Sequence, residues 1–199
     1  MNFLGHLYFS SDLPQLQYAN LFGDFVRGRN FDQYSDVIQK GIKLHRAIDS
    51  YIDNHPDVKE LMHSLYESLP KITGIAVDLY FDHLLARNWS DFHPKDLDEF
   101  IEEFYQVKLE NEHMYSDDFL FMISRMKSYR WLNQYKNDEG LVKMCEGLSK
   151  RVSFENKLPE APMIFKKNEE HITKVFRKYM DDAIPYFKKF TAEELDLKI

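Results

Sequence analysis

Apolar residues recur every three or four positions along most of the chain, a spacing typical of amphipathic α-helices. Strand-like alternation of apolar and polar residues is nearly absent. Glycine and proline, seven of each, fall mostly between the periodic stretches. The pattern therefore predicts an all-α fold, a single compact multi-helix domain over residues 1–199. The predicted helices lie near 2–9, 13–28, 33–54, 57–69, 71–89, 95–113, 117–130, 138–150 and 164–190. We expect Pro185 to kink or end the last of them.

The composition narrows the class of protein. A chain of 199 residues can bury a full core, and its single cysteine excludes a disulfide framework or a cysteine-based metal site. The 26 basic and 33 acidic residues give a net charge of −7, which argues against nucleic acid as a partner. No apolar run approaches the roughly 20 residues of a membrane-spanning helix, and the start lacks the features of a signal peptide. We expect a cytoplasmic protein without membrane insertion.

The third predicted helix carries polar side chains on its apolar face. His45 and Asp49 lie one turn apart within a stripe that includes Ile42 and Ile52. A histidine and a carboxylate on a buried face are costly unless they are paired, hydrogen-bonded or bound to a metal. The pair is therefore either a hydrogen bond within the core or part of a metal site.

The fifth predicted helix repeats this anomaly. His83 lies within its apolar stripe, Asp82 lies at the edge of the stripe, and Asp78 lies one turn before Asp82, nearer the rim. A hydrogen-bonded core histidine and a metal ligand are both consistent with the position of His83.

The second predicted helix aligns Asn20, Asp24 and Arg27 on the side opposite its apolar face. Taken alone, this is an ordinary solvated face. Beside two helices with inward imidazoles and carboxylates, it is a candidate third wall of one site.

These residue types suit one chemistry. Imidazole and carboxylate together bind Mn²⁺, Fe²⁺, Zn²⁺ or Mg²⁺ rather than a soft metal. Six side chains supply enough ligands for one or two ions: Asp24, His45, Asp49, Asp78, Asp82 and His83. Arg27 and Arg46 could hold a phosphate, because a guanidinium group matches its geometry. The set fits the metal-assisted hydrolysis of a phosphoester.

The same residues lie in motifs that occur, in the same order, in a known family. The motifs are MNFLGH at 1–6, NLFGDFVRG at 20–28, GIKLHRAID at 41–49, DNHP at 53–56 and DLYFDH at 78–83. On these motifs the chain resembles the bacterial acyl carrier protein phosphodiesterases. The likeness is strong over about the first 90 residues, and weaker matches continue through Trp131 to Ser149.

The resemblance implies both a fold and an activity. The fold would be all-helical and HD-phosphohydrolase-like. The activity would be removal of 4′-phosphopantetheine from holo acyl carrier protein to give the apo form. The expected cofactor is a divalent metal, Mn²⁺ first, with Mg²⁺, Fe²⁺ or Zn²⁺ as alternatives. Acyl carrier protein would be the partner, and the oligomeric state is left open.

The resemblance also implies roles for individual residues. The expected metal ligands are Asp24, His45, Asp82 and His83. The expected catalytic residues are Asp49, Arg46 and Asp78. Asp49 and Asp78 would act as further ligands or would orient the histidines, and Arg46 would assist at the phosphate. The candidate substrate-binding residues are Asn20, Arg27, Lys40 and Lys43. His6 is a lower-ranked candidate, because it matches the first motif only.

Two alternatives remain open at this point. The same site could act on a small phosphoester such as a nucleotide. The chain could also be a non-enzymatic helical binding protein whose polar core pairs hold no metal.

Overall fold

A computed structural model describes residues 1–197, and all regular structure in that range is helical. This confirms the predicted all-α fold, whereas its likeness to the HD phosphohydrolases stays a prediction. Within residues 1–197, no helix combines the length and the apolar character needed to cross a bilayer. The ten α-helices of this range are α1 (Phe3–Phe9), α2 (Pro14–Phe22), α3 (Asp36–Asn54), α4 (Pro56–Leu65), α5 (Thr73–Arg87), α6 (Leu97–Gln106), α7 (Asp117–Ser128), α8 (Trp131–Gln134), α9 (Asp138–Ser149) and α10 (Ala161–Glu193).

Helices α2 and α3 pack along one another at unusually short range. A methyl group added at Gly41 on α3 would collide with the side chain and backbone of Ala19 on α2. One added at Gly23, just past the end of α2, would collide with the ring of His45. Glycine at these two positions lets the backbones approach, and this approach brings Asn20 of α2 beside His45 of α3.

Helix α1 is short and is held in place by a buried carboxylate of α5. The Asp82 side chain accepts hydrogen bonds from the backbone N–H groups of Leu4, at 2.7 Å, and Gly5, at 3.1 Å. The Asn2 side chain accepts a third, from the N–H of Phe3. These acceptors satisfy amide groups that have no partner within the first turn of a helix. Asp82 therefore fixes the position of α1 and, with it, of His6.

The last helix is longer than predicted, and Pro185 does not end it. Helix α10 continues eight residues past Pro185 to Glu193 and packs against α4, α5 and α9. Proline inside a helix removes one hydrogen bond and costs about 3 kcal/mol. Burial of residues on both sides, including Ala183 and Phe187, offsets this cost.

Two other predicted helices end early. The second predicted helix stops at Phe22 and continues as a 3₁₀ turn, Gly23–Phe25, which carries Asp24. The sixth stops at Gln106, and Asn111 then adopts a left-handed conformation that a helix cannot contain. Helix α8 was not predicted, because four residues are too few to show a helical period.

The α2–α3 contact predicts opposite effects of the same substitution at two helical glycines. Gly41→Ala should destabilise the protein by about 1–3 kcal/mol, because overpacking outweighs the gain in helix propensity. Gly147→Ala in α9 should be neutral or stabilising by up to about 1 kcal/mol, because the added methyl group meets nothing within 4 Å in the described chain. Urea denaturation of both variants tests the pair. Stabilisation by Gly41→Ala would contradict the close approach.

Candidate functional site

A buried amide, that of Asn20, lies at the centre of the polar cluster. Its Nδ2 atom donates to the carbonyl oxygen of His6 at 3.0 Å and to the Oγ atom of Ser10 at 2.8 Å. Its Oδ1 atom lies 2.9 Å from Nδ1 of His6 and 3.3 Å from Nδ1 of His45. The side chain is completely buried, and every donor and acceptor direction of the amide is used.

This network assigns the protonation of both imidazoles. A backbone carbonyl can only accept, so the Asn20 NH₂ group must face His6 O, and its oxygen must face the two rings. Each ring therefore donates from Nδ1, and Nε2 is left for another partner. The two rings stack with centroids 4.3 Å apart, which points both Nε2 atoms to the same side.

Carboxylates meet the Nε2 atoms on that side. Nε2 of His45 lies 3.2 Å from Asp24 and 3.2 Å from Asp49, and Nε2 of His6 lies 3.3 Å from Asp49. One ligand atom from each of His6, His45 and Asp49 lies within 4.8 Å of the other two. Both histidines are buried, while the side chains of Asp24 and Asp49 remain 64% and 46% exposed. A solute could therefore reach these two carboxylates.

The charges of the cluster are coupled. Burial disfavours the His45 imidazolium, but hydrogen bonds to Asp24 and Asp49 outweigh burial and raise the pKa of His45 to about 9. Burial and the neighbouring His45 charge lower the pKa of His6. Hydrogen bonds to the imidazoles hold the pKa values of Asp24 and Asp49 below the ordinary range despite partial burial. The proton on His45 thus occupies the Nε2 position where a cation would bind.

The cluster forms one wall of a cavity of about 530 Å³. Two further carboxylates, Asp53 and Asp78, line it, so that four aspartates face three cationic groups: the guanidinium group of Arg151, the amino group of Met1, which pairs with Asp78, and the protonated His45. Burial and the nearby carboxylates of Asp78 and Asp49 raise the pKa of Asp53. This excess of negative charge favours a cation and would repel a phosphate in the absence of one.

The structure does not bring Asp82 and His83, both expected metal ligands, into this cluster. Asp82 points to the start of α1, where backbone amides occupy its oxygens. His83 points to the other side of α5, where its Nδ1 atom lies 2.6 Å from the carbonyl oxygen of Tyr135. Both are buried groups with partners of their own, as the core alternative for His83 required.

The structure divides three further predicted site residues between the cavity, the polar cluster and a nearby loop. Arg46 donates to the backbone carbonyls of Val26 and Gly28, so it holds the loop after α2 and does not line the cavity. Asp78 does line the cavity, and its carboxylate lies 2.8 Å from the amino group of Met1. Asn20 has no hydrogen-bonding capacity left for a substrate.

The basic residues expected to bind substrate lie outside the cavity wall. Arg27 and Lys43 are exposed, and Lys40 forms a 2.9 Å ion pair with Asp36 one turn earlier in α3. They remain near the site in sequence, because Arg27 follows Asp24 and Lys43 precedes His45.

Three residues that line the cavity received a low rank or no role from the sequence. His6 contributes to the cluster as directly as His45, although only the first motif pointed to it. Asp53 was visible in the motif at 53–56, one turn after Asp49. Arg151 follows α9, far along the chain from the motifs, and no spacing signal identified it.

Comparisons with known proteins agree on one family. A family model described as acyl carrier protein phosphodiesterase matches residues 1–183. The enzyme of that name from Enterobacter sp. (strain 638) is 31% identical over 156 residues, which cover 76% of this chain and 79% of the relative. That from Yersinia enterocolitica is 31% identical over 152 residues, with the same coverage. That from Pectobacterium atrosepticum is 38% identical over 94 residues, 47% of this chain and 49% of the relative. No solved structure matches the chain.

The coupled charges predict how the two histidines titrate in metal-free protein. His45 should titrate near pH 9 and His6 below 6.5, because the two carboxylates retain the proton on His45. Asp49→Asn should lower the pKa of His45. Asp57→Asn is the control, because Asp57 pairs with Lys178 instead. NMR of the imidazole Cε1–H signals measures each pKa, and an unshifted His45 would disprove the coupling.

Proposed function

Because the chain belongs to the acyl carrier protein phosphodiesterase family, we propose that it removes 4′-phosphopantetheine from holo acyl carrier protein with the help of a divalent cation. The reaction adds water across one phosphodiester bond. The bond between phosphorus and the carrier's serine oxygen breaks, phosphorus gains the hydroxyl group, and the serine oxygen gains the proton. The observation that carries this proposal is the convergence of His6, His45 and Asp49 on the cavity.

The residues present fit a divalent cation. Two imidazole nitrogens and carboxylate oxygens suit Mn²⁺, Fe²⁺ or Zn²⁺, and Mg²⁺ less well. The Asn20 oxygen holds both imidazoles in the form whose Nε2 can ligate, as an outer hydrogen-bond partner does at metal sites. We assign the metal-holding role to His6, His45 and Asp49, with Asp24 beside them, and expect Mn²⁺.

The remaining side chains of the cavity have complementary tasks. When bound, the cation would offset the charge of the phosphate and lower the pKa of a water molecule. Arg151 presents a guanidinium group that matches phosphate oxygens. Asp53 lies on the same cavity and could accept or return a proton during hydrolysis, whereas Asp78 pairs with the amino group of Met1.

Docking of the carrier must overcome repulsion between like charges, because acyl carrier protein is acidic and this chain carries a net charge of −7. Exposed cations near the site must therefore provide local attraction. Arg27 lies just beyond the 3₁₀ turn that holds Asp24, and Lys43 lies on the helix that holds His45. We assign the docking contact to these two side chains, with Lys40 contributing less because Asp36 partly neutralises it.

The central prediction is metal-dependent conversion of the holo carrier. Protein stripped with a chelator should be inactive, and Mn²⁺ should restore the loss of phosphopantetheine mass from the carrier. His45→Ala should lower turnover by more than about 100-fold and abolish stoichiometric metal binding. His83→Gln is the matched control and should retain both, because His83 lies outside the cluster. Mass spectrometry of the carrier and metal analysis of the protein provide the two readouts.

Each alternative has a distinct outcome. Hydrolysis of a nucleotide or another small phosphoester, with no conversion of the carrier, would keep the site but change the substrate. Absence of both metal binding and hydrolysis would leave a helical binding protein. Loss of metal binding in His83→Gln would indicate that His83 is a metal ligand, as the resemblance implies.

The docking assignment predicts a separate effect on substrate affinity. The double variant Arg27→Glu, Lys43→Glu should raise KM for the holo carrier by roughly 3- to 10-fold and weaken its salt dependence, with metal content unchanged. Lys174→Glu on α10 is the control for an exposed lysine distant from the motifs. An unchanged KM in the double variant would disprove this docking face.

A further inference from the structure

A second cavity, of about 420 Å³, adjoins the first. The two share four lining residues: Asn2, Phe3, Leu148 and Arg151. Because the same side chains line both cavities, the two cavities lie side by side at this edge. Arg151 lies at the junction, with its guanidinium carbon 5.3 Å from the centre of the Trp131 ring.

The second cavity has a different chemistry from the first. Aromatic and aliphatic side chains, among them Leu79, Trp131 and Met144, form much of its wall. Arg125, Lys143 and Arg151 line it as well, and within residues 1–197 none of its lining side chains is acidic and none of these three cations forms an ion pair. Such a site suits an elongated, largely apolar ligand whose carbonyl groups accept hydrogen bonds from cationic donors.

Gly147 keeps part of the wall of the second cavity free of side-chain atoms. It lies inside α9 on the wall of the second cavity, where glycine costs about 1 kcal/mol relative to alanine. At Gly41 the absence of a side chain allows α2 and α3 to pack closely. At Gly147, by contrast, an added methyl group would meet nothing within 4 Å in the described chain. No packing contact therefore accounts for this glycine. Its bare backbone leaves room for a ligand to approach the helix.

We propose that the second cavity holds the pantetheine arm of the substrate. This inference rests on the proposed function, because the arm begins at the phosphate that the first cavity would bind. The arm is uncharged and elongated, with a dimethyl-substituted carbon, two amides and a terminal thiol. Trp131 and Met144 would contact its apolar parts, and Arg125 and Lys143 would donate to its amide oxygens. Arg151, which lines both cavities, would lie beside the bond between the phosphate and the arm.

Filling the cavity tests the assignment. Gly147→Trp should place an indole group in the second cavity, and Glu146→Trp, at an exposed neighbour that lines neither cavity, is the matched control. With Mn²⁺ present, calorimetry should show that wild-type protein binds 4′-phosphopantetheine at least about tenfold more tightly than inorganic phosphate. Gly147→Trp should lose that difference, and Glu146→Trp should keep it. The kcat/KM for holo carrier should fall at least about tenfold in Gly147→Trp alone.

The readouts separate this inference from the proposed function. Equal binding of phosphopantetheine and phosphate by wild-type protein overturns the arm assignment, whether or not the carrier is converted. Failure of wild-type protein to convert the carrier overturns the proposed function, while the binding comparison still tests the cavity. If Gly147→Trp loses turnover but keeps the binding difference, this surface contacts the protein part of the carrier and the arm assignment is wrong.

Discussion

The candidate site depends on the buried amide of Asn20. It joins α1 to α3 through two imidazoles, and it can do so only because α2 lies close against α3. A buried amide with an unmet hydrogen bond would cost about 1–3 kcal/mol, so the geometry that satisfies all its partners is strongly preferred. That same geometry aims both Nε2 atoms at the carboxylates. The stability of the core and the arrangement of the site therefore have a common physical origin.

Electrostatics divides the functional surface into two parts. The first cavity is lined by four carboxylates and two imidazoles, and so favours a cation. The second is apolar, with basic side chains, and so favours an uncharged or anionic ligand that can accept hydrogen bonds. Arg151 belongs to both. The proposed substrate, with a phosphate at one end of a flexible, uncharged arm, matches this division.

The two aspartates of the DLYFDH motif have different surroundings, which a helical projection could not reveal. Asp78 lines the cavity, whereas Asp82 is fully buried against the start of α1. Burial raises the pKa of Asp82 to about 7, although the hydrogen bonds that its carboxylate accepts from two backbone amides lower the pKa. Its effect on the site passes through the position of His6. A residue in a family motif can thus position the polar cluster without lying in it.

Periodicity and motif order determined much about this protein. Because helical periods depend on local spacing, the helices that carry Asn20, His45 and Asp82 were predictable, and the ordered motifs indicated the family. Helix ends were less predictable, because tertiary packing carries α10 past Pro185 and a 3₁₀ turn replaces the end of the second predicted helix. The membership of the site was decided only by tertiary structure. A helical projection shows that a side chain faces inward but not what it meets there. It therefore could not show that His83 and Arg46 lie outside the cavity that His6, Asp53 and Arg151 line.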